Sequence, residues 1–162
     1  MRVVVMGVIG SGKTALGRTL AETLDWPFLD ADDYHSEQAR AQMASGVPMT
    51  DDDRRPWLLT LRRLLAERPQ VVLACSALRR RYRDILRLPG TRFVYLEVPE
   101  SLVRGRLEAR TGHFVGADLL PSQLAALEPP MASETDVLTL HVAPEDTPAE
   151  LRDRALALLG LP

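Results

Sequence analysis

The chain has 162 residues and a formal net charge of −2, because 22 acidic residues slightly outnumber 20 basic ones. This length predicts one domain over residues 1–162, and the apolar fraction of 46% excludes a disordered chain. The slight acidity argues against nucleic acid as a partner, no apolar run reaches the roughly 18 residues of a membrane span, and a lone cysteine fits a reducing, cytoplasmic compartment.

Short β-branched runs alternate with longer amphipathic segments along the chain. The first predicted elements are a strand over 2–6, a helix over 15–24, a short strand over 27–29 and a helix from about 35 to 44. A helix that begins after Thr50, a strand over 70–75, an arginine-rich helix and a strand over 92–98 come next. The last are a helix over 100–110, a break at 112–116, a helix over 119–127, a strand over 136–142 and a helix over 148–159. Five strands separated by helices predict an α/β doubly wound fold, whose parallel sheet binds ligands at the carboxyl ends of its strands.

The segment between the first strand and the first helix matches the phosphate-loop pattern G-x-x-x-x-G-K-[ST] at every required position. Its residues are Gly7, Val8, Ile9, Gly10, Ser11, Gly12, Lys13 and Thr14. Glycines let the backbone N–H groups turn toward phosphates, and the start of a helix adds positive potential. Lys13, the only lysine of the chain, supplies a mobile charge, and the Thr14 hydroxyl can ligate Mg²⁺. The sequence therefore predicts the binding of a nucleoside triphosphate.

Two carboxylates, Asp30 and Asp32, follow the second strand. The strand over 70–75 ends in Cys75, whereas motor-type ATPases usually end a later apolar strand in an acid that holds Mg²⁺. A guanine-reading Asn-Lys-x-Asp segment is excluded, because the only lysine lies in the phosphate loop. Since Asp30 and Asp32 stand two apart at a strand end, both can face that loop, one toward a magnesium water shell and one toward an acceptor hydroxyl. A helix cap or an acidic turn fits the same pattern.

An arginine cluster lies between the third and fourth predicted strands. It comprises Arg79, Arg80, Arg81 and Arg83, with Arg87 beyond. In a helix, Arg79 and Arg83 lie four apart on one face, as do Arg83 and Arg87. This spacing fits either a small anion site or a solvated helix face.

Blocks of residues along nearly the whole chain follow the pattern of one family. They are Met6-Gly7-Val8 through Lys13-Thr14, Phe28-Leu29-Asp30-Ala31-Asp32 with His35, Gln42-Met43-Ala44-Ser45-Gly46-Val47-Pro48, Asp51-Asp52-Asp53-Arg54-Arg55-Pro56-Trp57-Leu58, Cys75-Ser76-Ala77-Leu78 with Tyr82-Arg83-Asp84, Arg106, Arg110, Gly112-His113-Phe114, and Glu134-Thr135-Asp136-Val137. Through these blocks the chain resembles the bacterial-type gluconate kinases (gluconokinases) of the P-loop kinase superfamily, which are related in architecture to shikimate kinase. The Asp-Arg-x-Pro-Trp-Leu and Cys-Ser-Ala-Leu blocks are specific to this family.

The resemblance implies a nucleoside-monophosphate-kinase-like fold with five parallel strands and a small helical lid at about residues 106–118. It implies ATP-dependent phosphorylation of D-gluconate to 6-phospho-D-gluconate, with ATP and Mg²⁺ bound, and it suggests a homodimer. Asp30 would support Mg²⁺ through water, and Asp32 would contact the acceptor hydroxyl as general base. Lys13 and Arg110 would stabilise charge on the transferred group.

For the two ligands, the resemblance implies that His35, Arg54 and Arg83 line the gluconate pocket together with Asp32. Arg106 and Arg110 would belong to the lid that closes over ATP. Guanidinium groups suit the carboxylate of gluconate, and Asp or His suits its hydroxyls.

Three positions depart from the family pattern. Ala31 replaces the glycine usual between the two acids, Ser36 replaces the proline after the histidine, and Thr111 replaces a common lid lysine. Two other functions stay open. One is a kinase of another small hydroxy acid such as shikimate, although shikimate kinases usually place a glycine triplet where Cys75-Ser76-Ala77 stands. The other is a non-catalytic regulator that binds ATP.

Overall fold

The computed structural model of the protein describes residues 1–110 and 115–162. Five strands form one sheet in the order β2-β3-β1-β4-β5, and every neighbouring pair is parallel. The strands are β1 (Arg2–Met6), β2 (Phe28–Asp30), β3 (Val71–Ala74), β4 (Thr91–Glu97) and β5 (Val137–His141). The predicted α/β fold with a five-stranded parallel sheet is confirmed.

Seven helices connect and follow the strands in the described ranges. They are α1 (Lys13–Leu24), α2 (Glu37–Ala44), α3 (Asp51–Ala66), α4 (Arg80–Leu86), α5 (Glu100–Glu108), α6 (Val115–Ala126) and α7 (Pro148–Leu159), with a short 3-10 turn at Ala31–Tyr34. Most bounds lie within two residues of the predicted ones. Helix α6 is an exception, because it begins four residues early, within the predicted break at 112–116. Residues 112–114 of that break lie outside the described residues. No helix in the described part of the chain combines the length and apolar character needed to cross a membrane.

Strand β1 shows how the sheet is covered on both faces. Its side chains alternate between the faces, as successive residues of a strand do. Val3 and Val5 pack in the cluster that includes residues of α1 and α7, whereas Val4 and Met6 pack in the cluster that includes residues of α3 and α4. All four side chains are fully buried. A strand whose last four residues are all apolar and buried therefore takes the centre of the sheet, which places the phosphate loop at the middle of the carboxyl edge.

Candidate active site

The phosphate loop joins β1 to α1, and its backbone conformation requires glycine. Gly7 has a φ of 149°, and a Cβ there would lie 2.8 Å from Ser11 Oγ and 3.2 Å from the Leu96 carbonyl oxygen. Gly12, the residue before α1, has a φ of 97°, in the region that favours glycine. The tight loop leads directly into the first turn of α1, so its N–H groups and the positive end of the helix can bind the same anion.

Lys13 lies folded over this loop, where its Nζ donates to the carbonyl oxygen of Val8 at 3.0 Å. Burial lowers the pKa of the ammonium group, while the nearby carboxylates of Asp32 and Asp30 oppose that shift and the Arg110 guanidinium adds to it. Asp30, Asp32 and Arg110, three other predicted site residues, therefore lie within electrostatic reach of the Lys13 ammonium group.

Asp30 ends β2 beside the start of α1. One of its carboxylate oxygens, Oδ2, accepts a hydrogen bond from the Thr14 hydroxyl at 3.2 Å, and Oδ1 accepts one from the Asp32 backbone N–H at 3.0 Å. Asp30 is thus both the predicted cap of the 3-10 turn and a partner of the predicted magnesium ligand.

The oxygen atoms of Thr14 and Asp30 fit a magnesium ion. Both are hard oxygen donors, as Mg²⁺ prefers, and Mg²⁺ usually keeps several waters and takes phosphate oxygens as well. Across residues 1–110 and 115–162, no three His, Cys, Asp or Glu side chains form a group that could hold a metal. This donor set suits a cation that arrives with a phosphate ligand better than one held by a protein cage.

His35 and Trp57 form an aromatic wall beside the two acids. Their rings stack with centroids 4.4 Å apart and an angle of 16°, and Trp57 Nε1 donates to the carbonyl oxygen of Ala31 at 2.7 Å. Burial lowers the pKa of His35, and Arg54 adds to this shift while Asp32 opposes it. The lowered pKa favours the neutral imidazole, and its Nδ1 is buried without a hydrogen-bond partner among the described residues.

Arg54 reaches this wall from the second turn of α3. A capping box between Thr50 and Asp53 fixes the start of that helix, and acids in its first turn face the positive helix end. Nη1 of Arg54 donates to the Tyr82 hydroxyl at 3.0 Å, and the guanidinium lies 5.6 Å from the centre of the Tyr82 ring. Arg54 and Asp32 both act on the pKa of His35, so these two predicted site residues lie within electrostatic reach of the imidazole.

Two helices on the opposite side of the phosphate loop also contact it. Arg106 of α5 donates through Nη1 to the carbonyl oxygens of Gly10 and Ser11, at 3.4 and 3.3 Å. The side-chain oxygen of Gln123, on α6, accepts a hydrogen bond from the Ile9 backbone N–H at 2.6 Å. Arg106 was predicted for this place. Gln123 was not, and no signal in the sequence indicates that it pairs with a residue 114 positions away.

The predicted lid lies partly in the described residues. Arg110 is exposed at the end of α5, within electrostatic reach of Lys13. Thr111 and His113 lie outside the described residues.

Arg83 requires a correction. Its side chain is 0% exposed, and all five of its N–H groups donate to protein oxygens. Nε and Nη2 donate to the Glu134 carboxylate at 2.8 Å each, Nη1 donates to the carbonyl oxygens of Ala77 and Leu78 at 3.0 and 3.1 Å, and Nη2 also donates to the carbonyl oxygen of Glu128 at 3.0 Å. Since no donor is left for a substrate carboxylate, we withdraw the prediction that Arg83 lines the gluconate pocket.

The same contacts resolve the arginine cluster. One turn beyond Arg83, the side chain of Arg87 pairs with Oδ2 of Asp136 at 2.5 Å and with Oε2 of Glu134 at 2.8 Å. Arg83 and Arg87 therefore form neither an anion site nor a solvated face, because they pair with acids on the segment that leads into β5. Arg79 and Arg81 stay partly exposed and pair with Glu128 and Asp51.

The buried ion pair makes stability depend on pH. Hydrogen bonds from Arg83, followed by those from Arg87, lower the pKa of Glu134 from its ordinary 4.5 to about 2. A carboxylate with a lowered pKa in the folded state stabilises the fold above its unfolded pKa and loses that contribution as the pH falls through the folded value. We expect the free energy of unfolding to fall by on the order of 3 kcal/mol between pH 4.5 and 2 from this group.

Urea unfolding at a series of pH values tests this expectation. The variant Glu134→Gln should be less stable at pH 7 and should lose less stability than the wild type across the acid range. Equal acid sensitivity of the two proteins contradicts the assigned role of Glu134.

Fold and site together define a class, that of the P-loop kinases, in which a phosphate loop faces paired acids at the carboxyl edge of a parallel sheet. The protein-family model described as shikimate kinase matches residues 9–145. A solved gluconokinase from Sinorhizobium meliloti 1021 is 43% identical and superposes with a TM-score of 0.88, covering 98% of this chain and 91% of that one.

Curated relatives narrow the class. A probable gluconokinase from Mus musculus is 47% identical over 153 residues, 80% of this chain and 83% of that protein. The thermoresistant gluconokinase of Escherichia coli (strain K12) is 42% identical over 153 residues, 91% of this chain and 86% of that protein. A solved shikimate kinase from Aquifex aeolicus, at 18% identity and a TM-score of 0.62, shares the fold alone. The chain belongs to the gluconokinase family.

Proposed function

We propose that this kinase transfers the terminal phosphoryl group of ATP to the 6-hydroxyl of D-gluconate, which gives 6-phospho-D-gluconate and ADP. The observation that carries the proposal is the phosphate loop with Lys13 beside Asp30 and Asp32, in a chain of the gluconokinase family. The sugar-acid side of the site provides a guanidinium and a neutral imidazole next to these acids, which suits a small polyhydroxy acid.

The phosphate loop, Gly7 to Thr14, holds the phosphates of ATP through its backbone N–H groups. Lys13 leaves the Val8 carbonyl and turns its ammonium group toward the β- and γ-phosphates. The Thr14 hydroxyl and, through water, Asp30 would hold Mg²⁺ at the helix start, since these two groups already lie in contact there. When bound, Mg²⁺ neutralises charge that develops on the phosphate oxygens.

Asp32 and its neighbours act on the acceptor. Asp32 accepts the proton of the 6-hydroxyl as that oxygen attacks the phosphorus atom in line, and the O–P bond to ADP breaks as the new one forms. Arg54 pairs with the carboxylate of gluconate, and His35 orients its hydroxyls. The stacked Trp57 fixes the plane of the imidazole.

The lid segment, about residues 106–118, supplies positive charge from the opposite side. Arg106 already rests on the phosphate loop, and Arg110 stands near Lys13. Arg110 stabilises the charge of the transferred group, and closure of the segment excludes water that would otherwise hydrolyse ATP.

Release of ADP measured by a coupled assay tests the function directly. We expect ADP production that depends on D-gluconate and exceeds the water background, with far less turnover on shikimate because the shikimate kinases share only the fold. Other sugar acids and the neutral polyol sorbitol serve as comparison acceptors. Turnover on shikimate but not on gluconate would favour the alternative acid, and ATP binding without turnover on any acceptor would favour a regulator.

A homodimer and a cytoplasmic location complete the proposal, on the basis of the family resemblance. Light scattering on the purified protein tests the first, since a dimer has twice the 18.0 kDa mass of one chain.

A further inference from the structure

The four residues after β3, Cys75–Leu78, form a turn that we call the β3 turn. Within it Ala77 has a φ of 45°, which a residue with a side chain rarely adopts. Apart from Asp25, it is the one non-glycine residue with positive φ in the described ranges. Such a conformation persists only where the surrounding structure enforces it, and it is found most often at functional sites.

The β3 turn supports the phosphate loop at two points. The Ser76 carbonyl oxygen accepts a hydrogen bond from the N–H of Gly7, the first residue of the loop, at 3.2 Å. The Leu78 side chain is buried in one apolar cluster with Val8 and with Leu107 and Leu120, from the helices that flank the lid segment. A shift of the turn is therefore transmitted to the start of the phosphate loop.

Arg83 holds the β3 turn in this conformation. Nη1 donates to two successive carbonyl oxygens, those of Ala77 and Leu78, at 3.0 and 3.1 Å. On the opposite side of the guanidinium, Nε and Nη2 donate to the Glu134 carboxylate, which is only 1% exposed. A planar guanidinium with five fixed donors can bridge a carboxylate and two carbonyls, which a single ammonium group cannot do in the same geometry.

We propose that the Arg83–Glu134 ion pair is a positioning device for the phosphate site, which acts by holding the β3 turn with Ala77 in its left-handed conformation. The proposal rests on the proposed binding of ATP at the phosphate loop. All five donors of Arg83 are used by protein oxygens, so it acts through the turn and is a positioning residue.

The variant Arg83→Lys tests the proposal, because it keeps the charge and loses the fork of donors. We expect its dissociation constant for ATP, measured by calorimetry, and its KM for ATP to rise about 10-fold, which corresponds to about 1.4 kcal/mol. The KM for gluconate should stay within about 2-fold of the wild-type value, because none of the acceptor-side contacts involves Arg83. If this variant does not fold, Glu134→Gln, which keeps the shape of the side chain, carries the same comparison.

Arg87→Gln is the matched control. Arg87 donates to Asp136 and to Oε2 of Glu134, which also accepts from Arg83 Nε, but no hydrogen bond links Arg87 to the β3 turn. This variant should lower the Tm and leave the ATP dissociation constant unchanged. A variant that is only less stable therefore shows a lower Tm, whereas a variant that has lost the turn conformation also shows weaker ATP binding.

Rescue by Ala77→Gly distinguishes positioning from a merely structural role. Glycine adopts positive φ at no steric cost, so the turn needs less enforcement. Adding Ala77→Gly to Arg83→Lys, or to Glu134→Gln, should return ATP affinity to within about 3-fold of the wild-type value. No rescue, or an equal rise of the KM for both substrates, overturns the proposal. ATP calorimetry needs no acceptor. A wild-type protein that binds ATP but does not phosphorylate gluconate therefore contradicts the proposed function and leaves the positioning proposal testable.

Discussion

Asp32→Asn is expected to lower kcat by about 10²- to 10⁴-fold, the range that a positioned general base contributes. Asparagine has the same shape as aspartate but accepts no proton at neutral pH. The hydrogen bond from the Asp32 backbone N–H to Asp30 does not depend on the Asp32 side chain, so the 3-10 turn at Ala31–Tyr34 should keep its conformation. The KM for ATP should change by no more than about 3-fold, because the phosphate loop is untouched.

Steady-state kinetics with gluconate and ATP, together with a thermal melt, check this result. Asp33→Asn is the matched control, since Asp33 is the next exposed acid of the same 3-10 turn and no site role is assigned to it. If Asp32→Asn turned over near the wild-type rate, the base assignment would be wrong.

Lys13→Arg should lower kcat/KM about 10³-fold although it conserves the charge. The ammonium lies folded within a tight loop, bound to the Val8 carbonyl and close to Asp30, Asp32 and Arg110. A longer, planar guanidinium does not fit between phosphates in that space, whereas a compact ammonium on a flexible stem does.

Kinetics and ATP calorimetry on this variant separate lost binding from lost chemistry. Arg104→Lys is the converse control, because Arg104 is exposed on α5 and its one ion-pair partner among the described residues is Glu100, across one helical turn. Arg104→Lys should change neither kcat/KM nor the dissociation constant for ATP. Substantial activity of Lys13→Arg would contradict the role given to the lysine.

Much of the fold could be predicted because its signals are local. β1 is apolar from Val3 to Met6, glycines that the loop geometry requires follow it, and Pro148–Leu159 has the pattern of a helix over its whole length. The paired acids could also be located, because strand ends in a parallel sheet meet at one edge. Asp30 was expected just past the second strand and is instead its last residue, which leaves it at the same edge.

The fate of Arg83 could not be predicted, because it depends on a partner 51 residues away. An arginine in a basic cluster looks the same whether it faces solvent, a ligand or a buried carboxylate. One local signal existed: Arg83 lies between Tyr82 and Leu86, which share the buried side of α4. Glu134 stood within a family block, but a block does not state which side chain its residues contact. Pairing across the fold is set by tertiary packing, and the contact of Gln123 with the phosphate loop is of the same kind.

The single lysine of the chain has a consequence for covalent regulation. Enzymes that acetylate or methylate lysine side chains have one target on this protein, Lys13, which lies within the phosphate loop. Acetylation removes the positive charge of that side chain. A molecule that carries this modification therefore lacks the charge that the phosphates require, and no second lysine exists at which such a mark would be silent. We therefore expect acetylation of Lys13 to prevent phosphoryl transfer by this protein.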